Sequence, residues 1–265
     1  MPKVKLDKIE TKAPKKYHKE TTKKETEKLK LKIGDLQTIL YAQGKHSLLV
    51  VLQGMDASGK DGAIKNVFEA VSPLGCRVFP FKKPSEEEMK HDFLWRIHQR
   101  VPEKGMIHIF GRSHYEDVLI QRVHEWVDMK TIQQRFHHIN NFEKLLKESG
   151  TIVLKFYLHI SSKEQLQRLQ ERISDPVKNW KYNVADLEER KFWNNYENAY
   201  EEVFENCSKP VEWNIIPSDQ NWYKEYLISK KIVEVLEALK MEYPVMEKAI
   251  VVATQEATTL KPANK

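Results

Sequence analysis

The sequence predicts an α/β fold: a parallel five-stranded sheet flanked by helices, with a helical lid. Three observations carry this. Short apolar runs alternate with helical patterns, which reads as βαβ units on a parallel sheet. A glycine-rich stretch joins one apolar run directly to the helix after it. Late in the chain, Pro176 breaks a basic segment that follows a helical pattern, as a closing flap requires.

Taken in order, residues 1–32 hold 12 lysines and 5 acidic residues, a net of +7. The whole chain of 265 residues carries +6, so the remaining body is nearly neutral at −1. An arm this poor in apolar residues is expected to be partly disordered or a charged surface helix. Strands are expected at 47–52, 76–80, 105–110, 151–159 and 211–216. Helices are expected at about 60–71, 86–100, 114–124, 129–149, 162–174, 184–206 and 220–240. Ser161-Ser162-Lys163-Glu164-Gln165 offers a capping-box start for the helix at 162–174, the one before the lid. The catalytic domain is expected over 33–245, with the lid at about 172–190. Residues 246–265 mix Ala, Thr and Lys without a period and are expected to be a tail.

Hydrophobic residues make up 40% of the chain, enough for a core. Two cysteines, Cys76 and Cys207, argue against a disulfide scaffold and fit a reducing compartment. No apolar run approaches the roughly 20 residues that span a bilayer. The start of the chain lacks an apolar signal region. A cytoplasmic protein with no membrane partner is therefore expected.

The chemistry begins at Gly54-Met55-Asp56-Ala57-Ser58-Gly59-Lys60-Asp61-Gly62. It follows Leu48-Leu49-Val50-Val51-Leu52, and its G-x-x-x-x-G-K spacing is that of a phosphate-binding P-loop. Gly54, Ala57, Ser58, Gly59 and Gly62 let backbone N–H groups surround phosphate oxygens. The helix start adds its positive dipole end, and Lys60 a full charge. Asp61 stands where Ser or Thr is common, and Asp56 is a second carboxylate inside the loop. Two carboxylates in a phosphate cradle repel the ligand unless a cation lies between. Mg²⁺, or Mn²⁺ in its place, takes both oxygen types, so Asp56 and Asp61 are the expected metal ligands. The plainer reading is a helix-start Asp61 and a turn-capping Asp56.

In open α/β sheets, ligands bind beyond the carboxyl ends of the strands. Gly111-Arg112-Ser113-His114-Tyr115 follows the strand at 105–110, and His159-Ile160-Ser161 follows that at 151–159. These loops and the P-loop should meet at one edge. Arg112 is placed to neutralise phosphate, bidentately where geometry permits. Glu116, Asp117 and Arg122 run down the next helix. Arg172, Lys178 and Lys181 lie on the lid segment, and basic lids close over phosphates to exclude water. Lys65, Arg77, Lys82 and Lys83 complete the set of phosphate-binding candidates. Solvated helix faces and turns are the bland alternative for Arg122 and the lid cations.

These residues resemble the polyphosphate kinase 2 family, polyphosphate:nucleotide phosphotransferases with a P-loop kinase fold. Four segments carry the likeness: residues 54–62; Gly-Cys-Arg-Val (75–78) with Phe-Lys-Lys-Pro (81–84); Gly-Arg-Ser-His-Tyr-Glu-Asp-Val (111–118); and Arg-Ile-Ser-Asp-Pro-Val-Lys-Asn-Trp-Lys (172–181). With His91-Asp92-Phe93-Leu94-Trp95-Arg96 they span residues 33–240 in the family's order. The Ser-His-Tyr-Glu-Asp form is similar to the class III branch, which acts on both nucleoside mono- and diphosphates.

The resemblance implies Mg²⁺-dependent transfer between inorganic polyphosphate and AMP or ADP, forming ADP or ATP, or the reverse. It implies metal and phosphate roles for Asp56 and Asp61, and contact of Lys60 with the transferring group. Arg112 and Arg122 would line the phosphate channel, and Arg172, Lys178 and Lys181 would form the lid. Arg77 and Lys82 would follow the polyphosphate chain. It further implies a homo-oligomer, dimer or tetramer. One departure is plain: Gly111 stands where the family has Asp, or Asn in class III, with Glu116 and Asp117 as candidate substitutes at the acceptor. Two rivals remain: an ATP-dependent P-loop kinase of a nucleotide or small metabolite, and a polyanion-binding module using the Lys-rich arm. Nucleic acid is not the expected partner.

Overall fold

The computed structural model describes residues 4–181 and 183–245; the tail expected over 246–265 lies outside them. Five parallel strands form one sheet: β1 (Ser47–Gln53), β2 (Cys76–Pro80), β3 (Ile107–Gly111), β4 (Thr151–His159) and β5 (Trp213–Pro217). Their order is β2-β3-β1-β4-β5. Every residue of β1 is buried because helices cover both faces of a central strand, hence the unbroken apolar run. Val50 aligns with Ile109 on one side and Leu154 on the other. Leu48 to Leu52 are fully buried, each worth about 1.5–3 kcal/mol of hydrophobic transfer for a Val or Leu.

The helices are α1 (Lys19–Gln43), α2 (Lys60–Val67), α3 (Trp95–His98), α4 (Glu116–Val123), α5 (Met129–Glu148), α6 (Ser162–Ser174), α7 (Val184–Glu189), α8 (Trp193–Asn206) and α9 (Asn221–Ala238). Alternate strand side chains feed two apolar layers. Leu49 and Val51 meet α4, α5 and α8 through Val118, Ile139 and Val203. Leu48, Val50 and Leu52 meet α1, α2 and α9 through Leu40, Ala63 and Ile232. The result is a three-layer α/β/α sandwich. Among the described residues, no helix is long and apolar enough to cross a membrane.

Three expectations are corrected. The boundary at residue 32 falls inside α1, a continuous 25-residue helix. Its lysines mask an inner stripe: Thr22, Thr26, Lys30, Ile33, Gln37 and Leu40 are buried at spacings of three and four. Residues 4–17 are also docked. Leu6 is buried in the core, Ile9 O accepts from His159 Nε2 (3.1 Å), and Tyr17 packs on Tyr223 at 4.9 Å between centroids. Asp219 N donates to Thr11 O (3.0 Å), and Thr11 Oγ1 returns to Asp219 Oδ2 (2.8 Å). This strap crosses the carboxyl ends of β4 and β5.

The single helix expected at 86–100 is instead a 3₁₀ turn, Glu88–Lys90, and the four-residue α3. Asp92 Oδ1 accepts from Leu94 N (2.9 Å), giving the backbone a local partner that competes with helix. The helix expected at 184–206 is divided by a 3₁₀ turn, Arg190–Phe192, where Arg190 is drawn onto α6.

Candidate active site

The P-loop leaves β1 and wraps the start of α2. Gly54 has φ +151°, and a Cβ there would lie 2.8 Å from Leu158 O. Gly59 has φ +94°, and a Cβ there would lie 2.3 Å from Lys224 Nζ. Ala57 (φ +59°) and Arg112 (φ +66°) adopt the left-handed conformation without being glycine, a strain of about 1–3 kcal/mol each that clusters at functional sites.

Lys60 Nζ donates to Gly54 O (2.6 Å) and Met55 O (3.1 Å), arching over the loop. Arg112 Nη2 donates to Asp56 Oδ1 at 2.6 Å, a charge-assisted contact between the β3 loop and the P-loop. Burial opposes ionisation of Asp56, but Lys60 and Arg112 outweigh it and hold the carboxyl below its ordinary range. Burial and the nearby Arg112 push the Lys60 ammonium down. Burial, against the pull of Arg112 and Lys60, pushes Glu116 up. The three loops expected to converge do so.

Beside them lies a cavity of about 230 Å³. The P-loop contributes Gly54, Met55 and Asp56, and α4 contributes Glu116, Leu119 and Ile120. Asn183, Asp186, Glu189 and Arg190 come from the lid region, and Trp193, Tyr196 and Tyr200 from α8. The lining therefore mixes charged groups with aromatic and apolar side chains. Gly54 N donates to Tyr200 OH (3.1 Å), joining α8 to the cradle. Arg172 Nη1 donates to Asp186 Oδ2 (2.9 Å), joining α6 to α7. Burial and the Asp56 charge push Asp186 up.

Other expected residues lie elsewhere. Asp117, expected beside Glu116 at the acceptor, faces away because neighbouring helix positions point in different directions. It is buried with Arg96 at 3.7 Å and Gln121 at 2.7 Å, and burial pushes its carboxyl up to about 6. Arg122, expected in the phosphate channel, pairs with Glu202 on α8 at 2.9 Å and lines a separate cavity with Lys5 and Glu201. Arg77 is the second residue of β2, level with His108 and 3.9 Å from Glu103. The site lies at the other end of that strand, roughly 10 Å further at the usual strand rise.

Lys65 is exposed on α2, and Lys82 and Lys83 are exposed beyond the carboxyl end of β2. Lys178 pairs with Glu171 and Asp175, each at 3.4 Å. Lys181 ends the turn Asn179–Lys181; its side chain lies outside the described residues. Gly111 ends β3, and a Cβ on it would meet Ile64 Cδ1 at 3.3 Å.

Sequence reading missed Gln165, Arg168 and Lys224, which donate to the P-loop carbonyls of Asp56, Ala57 and Gly59, and the aromatic lining of the cavity. Trp193, Tyr196 and Tyr200 recur at helical spacing, a signal that core packing produces equally. As for a divalent ion, Asp56 and Glu116 bring carboxylates to one cavity. Among the described residues, no three His, Cys, Asp or Glu stand close enough to hold an ion alone. That donor set fits Mg²⁺-type binding, where one or two carboxylates are completed by substrate phosphates. Asp61 stands exposed on the first turn of α2 and does not line the cavity.

The family profile described as Polyphosphate kinase 2 (PPK2) matches residues 16–244. An AMP/ADP-polyphosphate phosphotransferase of Meiothermus ruber is 50% identical over 222 residues, covering 83% of each chain. An ADP-polyphosphate phosphotransferase of Rhodopseudomonas palustris is 43% identical over 226 residues, covering 80% of this chain and 78% of its own. The crystal structure of polyphosphate kinase 2 from Arthrobacter aurescens TC1 superposes with a TM-score of 0.91 at 36% identity, covering 97% of this chain and 94% of that one. With P-loop, cavity and lid contacts in the places described, the chain belongs to the polyphosphate kinase 2 family.

Proposed function

We propose that the protein transfers phosphoryl groups between inorganic polyphosphate and adenine nucleotides, taking AMP to ADP and ADP to ATP. The observation that carries this is the Lys60–Asp56–Arg112 cluster at the mouth of the P-loop, beside a cavity that Trp193, Tyr196 and Tyr200 help to line. Phosphoryl transfer needs positioning and charge neutralisation more than covalent help. Lys60 and Arg112 supply two fixed cations, and Asp56 keeps them from repelling one another. Trp193, Tyr196 and Tyr200 offer surfaces for a planar base.

A divalent ion, Mg²⁺ or Mn²⁺, would neutralise charge on the phosphates when bound. Asp56 and Glu116, which both line the cavity, would hold it, and Asp61, exposed on the first turn of α2, would act from outside that lining. Arg172, Lys178 and Lys181 would close the lid over the transferring group, and Lys82 and Lys83 would follow the donor chain at the sheet edge. Gly111 leaves acceptor positioning to Glu116. We assign the active form to a cytoplasmic homo-oligomer, dimer or tetramer; the unpaired thiols Cys76 and Cys207 suit a reducing compartment.

The test is an assay with long-chain polyphosphate, Mg²⁺ and either AMP or ADP. Formation of ADP and ATP respectively is expected. ATP-driven phosphorylation of another acceptor, with no use of polyphosphate, would replace this reading with that of an ordinary P-loop kinase.

A further inference from the structure

We infer that Gln165 is a positioning residue that couples the lid to the P-loop, passing the docking of Arg190 to the backbone of Asp56; this rests on the phosphoryl-transfer reading above. The P-loop is gripped from behind by its carbonyls. Gln165 Nε2 donates to Asp56 O (2.9 Å), Arg168 Nη1 to Ala57 O (3.1 Å) and Lys224 Nζ to Gly59 O (3.1 Å). In a trans peptide the C=O and the following N–H point in opposite directions. Holding the Asp56 carbonyl outward therefore turns the Ala57 N–H inward, towards the phosphate side, and holding Gly59 does the same for Lys60.

Gln165 differs from the other two in having a second partner on the lid. Its Oε1 accepts from Arg190 Nη1 at 2.5 Å, and Arg190 also donates to Ser162 O and Ser162 Oγ, each at 3.1 Å. Gln165 is 3% exposed, so neither half of its amide has water as an easy substitute. Reversing it would set N–H against guanidinium and oxygen against carbonyl, so one orientation satisfies both partners. Arg190 sits at the break between α7 and α8 and lines the cavity. Arg172, two turns along α6 from Gln165, holds Asp186 of the same lid region. Displacing the lid thus removes the bond that fixes the Gln165 amide, and with it the hold on Asp56.

The experiment uses the full chain as wild type, Arg190→Met, Gln165→Met, the double variant and Arg190→Lys. Hydrogen exchange is followed at Gly54, Ser58 and Ala63, whose amides are bonded to Tyr200 OH, Met55 O and Gly59 O. Steady-state kcat and KM are measured with polyphosphate and ADP. Each Met variant should exchange about tenfold faster at these amides, the scale of one net hydrogen bond, and lose a similar factor in kcat. The double variant should be no worse than Gln165→Met, and Arg190→Lys should recover most of the loss.

Wild-type exchange at the loop in Arg190→Met would overturn the coupling, and so would single effects that multiply in the double variant. If Gln165→Met does not fold, Arg190→Met and Arg190→Lys decide by themselves. A wild type that transfers nothing from polyphosphate would sink the functional reading, while the exchange data would still judge the coupling.

Discussion

Removing the ammonium of Lys155 should be among the most damaging single changes away from the cavity. Lys155 and Glu143 are both fully buried, 2.7 Å apart. The Lys155 Nζ also donates to Tyr115 OH (2.8 Å) and Cys207 O (2.6 Å), and Tyr115 OH donates to Glu143 Oε1 (2.7 Å). Burial opposes a charge on Glu143, but Lys155 and His114 overcome it and hold the carboxyl below its ordinary range. Lys155→Met keeps the chain length and deletes the cation. It leaves a carboxylate in the core with one hydroxyl and a histidine beside it. Breaking such a pair from one side costs about 3–5 kcal/mol. At ~2–4 °C per kcal/mol for a chain of this size, the melting temperature should fall by about 6–20 °C. Urea denaturation followed by circular dichroism gives the free energy directly. Adding Glu143→Leu should recover at least half the loss, because the orphaned charge is gone. A cost under about 1 kcal/mol, or a double variant no better than the single, would refute the argument that an unpaired buried charge dominates.

Two further changes test other parts of the structure. The raised pKa of Asp117, about 6 against 3.8, means that the folded state binds its proton more tightly than the unfolded one, so its contribution is present below pH 4 and lost as pH rises through 6. Asp117→Asn mimics the protonated form and should be more stable than wild type at pH 7 by roughly 3 kcal/mol, at ~1.4 kcal/mol per pK unit, with no gain at pH 3.5; a loss at pH 7 in chemical denaturation would show that Arg96 needs the charge. Gly59→Ala combines φ +94° with a Cβ 2.3 Å from Lys224 Nζ. It should cost about 1–3 kcal/mol of stability and lower kcat at least tenfold by displacing the loop, and unchanged kinetics would count against the rear grip.

The sheet was legible because a doubly covered parallel strand writes an uninterrupted apolar run, as in Leu48 to Leu52, and because Gly and Pro punctuate the rest. The P-loop was legible because its backbone angles demand glycine at fixed positions. The first helix was not, since the lysines of α1 outnumber the apolar residues of its inner stripe. Asp117 and Arg122 were misplaced for a different reason. A motif gives adjacency along the chain, whereas the direction in which each helical residue points decides what it reaches. Gln165, Arg168 and Lys224 carried no signal at all, because they act on backbone carbonyls and any long polar side chain at helical spacing looks the same. Lys155 was hidden within an apolar strand, its partners 12 and 40 positions away.

The strap over β4 and β5 has a consequence for how the molecule is made. Thr11 and Asp219 are 208 positions apart, so on the ribosome Thr11 waits for its partner while the residues between them are synthesised. The strands and helices between them can settle as they emerge, but this clasp cannot. Asp219 also receives the Ser161 amide (2.8 Å), and the adjacent carbonyls of Ser218 and Asp219 anchor Arg168, which reaches Ala57 O. The rear support of the phosphate cradle is therefore completed only after residue 219 has been made, and a nascent chain short of it lacks that scaffold.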